Sequence, residues 1–209
     1  MRSIDTQSRR TGDLLALRPA IEAGWLIAIA LVPLAVVHEN TMLGFIQIPK
    51  VFLLRTLALY LCGALAFEWA LTPGGRGPGQ GWLTERLSGL KNHPARGIIA
   101  AAVVILIANL LSVLVSPVKS ISLSGFDVGW DTYGLANIAC YLVFFYAVVS
   151  HMRTGAQIRR LVWTLTGTAM VTSLAAIGQH FGIDPLRNTP LALTRAHGTF
   201  GNSIFAGAF

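Results

Sequence analysis

The sequence has few charged residues for its length. Only 12% of its 209 residues are charged, whereas soluble domains average about 25%. Hydrophobic residues make up 54% of the chain and the mean hydropathy is +0.61, which is typical of an integral membrane protein. Basic residues outnumber acidic ones by 16 to 9. Because they lie between apolar blocks and form no single basic stripe, this excess favours membrane topology over nucleic-acid binding.

The sequence is also poor in cysteine. Cys62 and Cys140 are the two cysteines, and both fall inside apolar runs, which is not the pattern of a disulfide framework. There is no Cys-x-x-Cys spacing and no glycine-rich phosphate loop ending in Lys-Ser or Lys-Thr. We therefore predict neither a bound metal nor a cofactor.

A cleavable secretory signal is not predicted either. Residues 1–19 are mostly polar, and the apolar run that follows lacks an Ala-x-Ala cleavage site. We interpret residues 1–19 as a cytoplasmic N-terminal segment and residues 20–209 as a polytopic membrane domain. The first apolar segment is expected to stay in the protein as a signal anchor.

Apolar blocks of near membrane-crossing length define the predicted fold. A helix needs about 20 residues to cross a hydrocarbon core of about 30 Å, and helices are expected because an open strand in lipid would leave backbone groups unpaired. The sequence predicts an all-α integral membrane protein with five transmembrane helices and the start of a sixth. The five blocks are 20–37, 51–71, 97–115, 134–150 and 161–178.

The distribution of basic residues predicts a cytoplasmic N-terminus. In that orientation most of the 16 basic residues lie on the inner side, as the positive-inside rule expects. They are Arg2, Arg9, Arg10, Arg18, Arg76, Arg86, Lys91, Arg96, Arg153, Arg159 and Arg160. The loop 72–96 is then a flexible cytoplasmic tether rich in Gly and Pro, and the segment 179–202 is periplasmic.

The sixth apolar segment is short. It runs from Ile204 to Phe209, and a helix of that length rises only about 9 Å. A carboxylate at that depth in the membrane would be costly. We therefore expect the chain to be the N-terminal fragment of a longer protein.

The periplasmic segment carries a candidate anion site. The planar guanidinium of Arg195 can bind phosphate oxygens in two bonds. Gly198 and Gly201 would let backbone N–H groups approach the same anion, and Asn202 stands at the N-cap of the sixth helix. The alternative is an ordinary re-entry turn in which Arg195 extends to the interface.

Other polar residues near this segment have weaker patterns. His197 is a candidate catalytic base, although a single histidine in a polar loop is more often incidental. Arg55 and Glu68 lie within the second predicted helix, one turn from its ends, where their side chains can reach the interfaces. If Arg55 faces the bundle instead, it could join Lys50 and Arg195 around phosphate groups.

One helix face carries a stripe of threonines. Thr164, Thr168 and Thr172 recur every four residues in the fifth predicted helix. Small hydroxylated residues at this spacing favour close helix packing in membranes. The alternative is that they line a polar path.

Several motifs together resemble the O-antigen ligase/polymerase family of bacterial inner-membrane proteins. The most specific are Arg195 and Gly-Thr-Phe-Gly-Asn at 198–202, preceded by Gln-His-Phe-Gly-Ile-Asp-Pro at 179–185 and followed by Phe-Ala-Gly at 205–207. Pro49-Lys50 at the start of the second predicted helix is similar too, and Ser116-Pro117 and Ser122-x-x-Gly125 are so more loosely. Ser203 departs from the family, which usually has proline there.

The resemblance implies an activity and partners. Members of the family transfer a glycan from a polyprenyl diphosphate carrier to an acceptor hydroxyl, with inversion and without a metal or nucleotide. The acceptor would be lipid A core, protein or a growing polymer, as in lipopolysaccharide and polysaccharide biosynthesis. The resemblance assigns Arg195 to the diphosphate and places a further arginine and a histidine base in a later periplasmic loop, so the fragment alone is expected to be inactive.

A different class of function stays open from the residues alone. A non-catalytic polytopic scaffold, an assembly factor or a piece of a transporter would show the same hydropathy. A transporter would be expected to have paired broken helices at mid-membrane, and the sequence shows no sign of them. A scaffold has no need of an arginine and a Gly-Thr-Phe-Gly-Asn turn at the membrane surface.

Overall fold

The described part of the chain is a bundle of helices. The computed structural model describes residues 2–37, 42–71, 96–125, 134–183 and 198–200, which contain helices and turns and no strand. In chain order the helices are α1 Arg2–Leu34, α2 Met42–Leu71, α3 Arg96–Val115, α4 Lys119–Ser124, α5 Leu135–His151 and α6 Gly155–His180.

The all-helical prediction is confirmed in this part of the chain, and each of the five predicted blocks coincides with a helix. By length and composition four segments can cross a membrane: Leu17–Leu34, Ile46–Leu71, Arg96–Val115 and Gly155–His180. The apolar helix Leu135–His151 is shorter, with 17 residues. Four membrane-length helices are compatible with a multi-pass membrane protein, and the fifth crossing and the cytoplasmic N-terminus stay predictions.

Helices α1 and α2 begin earlier in the chain than the predicted blocks. The pair Pro49-Lys50 lies inside α2 and does not open it. Ile46, one turn before Lys50, is 2% exposed, so apolar packing extends the helix past the proline. Helix α1 likewise begins at Arg2, within the polar segment 1–19.

The start of α6 has a clear local cause. The Thr154 hydroxyl accepts a hydrogen bond from the backbone N–H of Gln157, and the Gln157 side chain accepts one from the backbone N–H of Thr154. This capping box satisfies two N–H groups that the first turn leaves without helical partners. It places the start of α6 at Gly155, before the predicted block at 161.

The core forms where α1, α2 and α5 meet. Ile21, Trp25, Leu61 and Ala147 are fully buried there, and Leu161 of α6 packs against the edge of the cluster. The glycine at position 24 permits the close approach of α1 and α2, because a Cβ there would stand 2.8 Å from side-chain atoms of both Tyr60 and Leu61. The Tyr60 hydroxyl also donates to the Ala20 carbonyl at 3.1 Å.

Helix α3 contributes little to this core. It contains no buried residue, and Val115 near its end is 83% exposed. Its hydropathy is the highest of the four membrane-length helices. A helix that is apolar all round suits a lipid environment.

Polar contacts collect at the two ends of the bundle. We call one the Pro33 end, defined by Pro33, Lys50, Gln179 and the turn 198–200. We call the other the Glu22 end, defined by Glu22, Glu68, His151 and Arg160. Helices α2 and α5 run in the same direction between them, since Arg55 bonds to Asn137 near one end and Glu68 bonds to His151 near the other.

Several predicted features lie outside the described residues. These are the Gly- and Pro-rich loop, for which the structure describes only Arg96, the segment 184–197 of the predicted periplasmic stretch, and the sixth apolar segment. The two cysteines fall inside the described part and are both free thiols.

The glycine at the α1–α2 crossing gives a stability prediction. Replacing Gly24 with Leu should lower the free energy of unfolding by about 1–3 kcal/mol, because the added side chain must displace Leu61 and Tyr60. Gly63 in α2 is the matched control, since no atom lies within 4 Å of a Cβ there. Unfolding in mixed detergent micelles measures both variants. Equal losses for Gly24→Leu and Gly63→Leu would show that the crossing is looser than described.

Candidate functional site

One backbone carbonyl connects three parts of the chain at the Pro33 end. The oxygen of Pro33, in the last turn of α1, accepts hydrogen bonds from the Lys50 ammonium and from the Thr199 hydroxyl, the latter at 2.8 Å. Carbonyls in the last turn of a helix have no helical N–H partner and carry the negative end of the helix dipole. A cation and a hydroxyl are therefore well suited to this position.

Lys50 also contacts the turn through its charge. Its Nζ lies 5.0 Å from the centre of the Phe200 ring, within the range of a cation–π interaction. The ammonium thus lies between the end of α1 and the Phe200 ring. Positions 50 and 198–200, far apart in sequence, form one site, which we call the Lys50 site: Pro33, Lys50, Gly198, Thr199 and Phe200.

The turn itself is fixed to the end of α6 by Gln179. The Gly198 N–H donates to Gln179 Oε1 at 2.8 Å, and Gln179 Nε2 donates to the Gly198 carbonyl at 3.3 Å. Gly198 has φ +55°, in the left-handed region that favours glycine. A Cβ at this position would stand 3.2 Å from the Thr172 carbonyl oxygen.

These contacts give Gly198 a structural role. Its own N–H is bonded to Gln179, and the expected approach of backbone N–H groups to an anion stays a prediction. The glycine is needed because of its backbone conformation and its close approach to α6. Any anion at this site would depend on side-chain cations first.

Arg55 lies on a different face of α2. Five residues separate it from Lys50, which corresponds to about 140° around a helix. Its Nε donates to Asn137 Oδ1 at 2.9 Å and its Nη2 donates to the Ser124 carbonyl at 3.1 Å. The guanidinium therefore contacts the start of α5 and the end of α4, and its joining Lys50 around a phosphate stays a prediction.

The end of the short helix α4 packs closely against the start of α5 at this point. Gly134, the N-cap of α5, leaves no room for a side chain, since a Cβ would stand 2.6 Å from the backbone nitrogen of Gly125. Gly125 follows α4 with φ 96°. Asn137 is fully buried and gives Arg55 a neutral acceptor. The loosely similar Ser122-x-x-Gly125 segment thus has a structural role here.

Polar side chains tie helices together at both ends of the bundle. At the Glu22 end, Arg160 Nε lies 2.6 Å from Glu22 Oε1 and His151 Nε2 lies 2.8 Å from Glu68 Oε2, whereas Arg153 Nε donates to the neutral Ser150 carbonyl at 3.1 Å. Near the Pro33 end, Lys50 and Arg55 bond to neutral oxygens among the described residues. Neutral acceptors orient a cation without cancelling its charge.

The threonine stripe packs and does not line a path. Thr168 and Thr172 are buried, and the three hydroxyls donate to carbonyls of their own helix: Thr164 to Arg160, Thr168 to Thr164, and Thr172 to Thr168 and Ala169. Their hydroxyl protons are therefore bonded within α6 and are not needed by a neighbouring segment. The packing interpretation is the one the structure supports.

Only some of the predicted site residues lie in the described part of the chain. The structure brings Lys50 and the turn containing Gly198 together, and Arg55 bonds to Asn137 and Ser124. Arg195, His197, Gly201 and Asn202 lie outside the described residues. Within the described ranges, no group of three or more His, Cys, Asp or Glu residues could hold a metal ion.

Sequence reasoning missed Gln179, Pro33 and Asn137 as organising residues. Gln179 stood inside the segment that resembles the family, but no pattern connected it to Gly198. Pro33 acts through its carbonyl oxygen, which every residue has. Only Asn137 carried a signal in the sequence, namely a polar amide within an apolar helix.

Comparisons with known proteins give no relatives for this chain. No family model matches it, and neither the curated proteins nor the solved structures contain a match.

The Lys50 contacts predict a stability effect. Lys50→Met should lower the free energy of unfolding by about 1.5 kcal/mol or more, because a charged hydrogen bond to the end of α1 is lost. Lys119→Met is the matched control, since Lys119 is exposed at the start of α4. Detergent-unfolding curves compare the two variants. A loss at Lys50 no larger than at Lys119 would contradict the assigned role.

Proposed function

We propose that the protein binds the diphosphate group of a polyprenyl-linked glycan at the periplasmic face of a bacterial inner membrane, as part of a glycan ligase or polymerase. In this proposal the N-terminus is cytoplasmic, the Pro33 end is periplasmic and the Glu22 end is cytoplasmic. The observation that supports it most is the contact between Lys50 and the Phe200 ring, beside the Pro33 carbonyl that Lys50 and Thr199 share. Lys50 and the turn 198–200, which come from two motifs that separately resemble the family, meet there.

The electrostatics of the Pro33 end are consistent with this ligand. A diphosphate carries several negative charges, and the Lys50 site offers a cation whose described partners are neutral. The apolar helices beside it suit a polyprenyl chain. Arg195, three residues before Gly198, would supply a bidentate contact to the phosphate oxygens.

The chemistry that follows needs few protein groups. Diphosphate is already a good leaving group, so cations that stabilise the charge developing on it lower the barrier. The acceptor hydroxyl must lose a proton to a base. In the proposal Arg195 and Lys50 bind the leaving group, and His197 is the candidate base within this chain.

A non-catalytic scaffold is the second candidate function. It is favoured by one observation, that Lys50 already has a structural role at the end of α1. In a scaffold this lysine and the turn would only close the bundle. Ligand binding separates the two functions.

Arg195 gives the direct test of the proposal. The protein is placed in lipid nanodiscs and titrated with farnesyl diphosphate, with farnesol as the uncharged comparison. Arg195→Ala should weaken diphosphate binding by about tenfold or more, the usual effect of losing a charge-assisted contact. Arg187→Ala, a change of the same type in the same predicted periplasmic segment, should have little effect.

Two results would contradict the proposal. One is equal affinity for farnesyl diphosphate and farnesol, which would mean that only the hydrocarbon chain is bound. The other is an unchanged diphosphate affinity in Arg195→Ala, which would remove Arg195 from the site.

The orientation is tested separately. Reporter fusions within 72–96 should be active only as a cytoplasmic reporter, and fusions within 179–202 only as a periplasmic one. The reason is that three predicted crossings, 97–115, 134–150 and 161–178, separate the two segments. Both fusions on the same side would show that the short helix α5 does not cross the membrane.

A further inference from the structure

We propose that Gln179 is a positioning residue that holds the turn 198–200 against Lys50 and thereby sets the affinity of the Lys50 site for an anionic ligand. This inference rests on the proposed function for the identity of the ligand. Its structural half, the anchoring of the turn by Gln179, does not depend on the ligand.

The first reason is the pairing between the amide of Gln179 and a single backbone residue. Its oxygen accepts from the Gly198 N–H at 2.8 Å and its nitrogen donates to the Gly198 carbonyl at 3.3 Å. Only an Asn or Gln side chain offers one acceptor and one donor in this arrangement. One side chain therefore bonds to both the N–H and the carbonyl of Gly198.

The second reason is burial. Gln179 is 4% exposed, so its amide is largely removed from water. Buried polar groups that lose a partner cost more free energy than exposed ones. If the turn were released, the Gln179 amide and the Gly198 backbone would both lose these two hydrogen bonds.

The third reason is the shape of the surface on which the turn lies. Gly198 fits against the Thr172 carbonyl and the Ala176 Cβ of α6, with a Cβ at position 198 predicted 3.2 Å and 3.6 Å from them. Gln179 lies about two turns after Thr172 and about one turn after Ala176 in the same helix. Contact with α6 and the amide pairing therefore fix the same point of the turn.

Fixing Gly198 fixes the next two residues. Thr199 then reaches the Pro33 carbonyl at 2.8 Å, and the Phe200 ring lies 5.0 Å from the Lys50 ammonium. Without the anchor, Lys50 would keep its bond to Pro33 but lose the aromatic ring that restricts it on the other side. Ordering a long flexible cation before binding reduces the entropy lost when an anion binds.

The test compares two glutamines of α6. Gln179→Leu removes both bonds to Gly198 while keeping a side chain of similar size. Gln157→Leu is the matched control at the Glu22 end, where Gln157 donates to Glu22 and completes the capping box. Both variants are expected to lower stability, but only Gln179 contacts the turn.

Three measurements are made on the full chain. The affinity for farnesyl diphosphate and the hydrogen exchange of a peptide that contains residues 198–200 are measured in nanodiscs, and the unfolding midpoint is measured in detergent. Gln179→Leu should weaken diphosphate binding by about tenfold, as loss of a buried hydrogen bond would, and should speed exchange of the Gly198 amide. Gln157→Leu should lower the unfolding midpoint and leave both other values unchanged.

The outcomes separate the two halves of the inference. Unchanged exchange of the Gly198 amide in Gln179→Leu would overturn the anchoring. Faster exchange with unchanged affinity, or equal loss of affinity in both variants, would overturn the positioning role. If the unaltered protein binds no farnesyl diphosphate, the proposed function and the ligand half are wrong, while faster exchange would still support the anchor.

Discussion

The arrangement of the Pro33 end depends on one hydrogen-bond acceptor. The Pro33 carbonyl receives the Lys50 ammonium from α2 and the Thr199 hydroxyl from the turn after α6. A carbonyl in the last helical turn has no N–H partner in its own helix, and leaving it unpaired away from water would cost about 1–3 kcal/mol. Satisfying it joins α1, α2 and residues 198–200. The cation is brought to the turn as a result of closing the helix end.

Polar side chains tie helices together at both ends of the bundle. At the Glu22 end Arg153 donates to the neutral Ser150 carbonyl, while Glu22 pairs with Arg160 and Glu68 bonds to His151. Arg55 and Lys50 bond to neutral oxygens among the described residues. Neutral acceptors orient a cation without cancelling its charge, which is compatible with the anion of the proposed function at the Pro33 end.

Close packing by small residues makes these polar contacts geometrically possible. Gly24 lets α1 approach α2, and Gly198 lets the turn approach the α6 backbone at Thr172. In lipid, helices associate mainly through such packing, since burial from water gives little advantage between them. The Thr172 hydroxyl bonds within α6, and the turn packs against the carbonyl of the same residue. Packing and polar contacts therefore specify the same arrangement.

The sequence alone determined that the described part of the chain is helical, and it gave the approximate positions of the long helices, because a membrane-length apolar run has few alternatives to a helix. It also located Lys50 and Gly198 as residues of interest. It did not predict that α2 continues through Pro49, since that depends on where Ile46 packs. Only the tertiary structure decided that Arg55 faces Asn137 and Ser124, that Gln179 holds Gly198, and that Lys50 meets Phe200. Each of these contacts joins residues far apart in the chain, and local sequence pattern carries no information on which distant partner a buried amide or cation will meet.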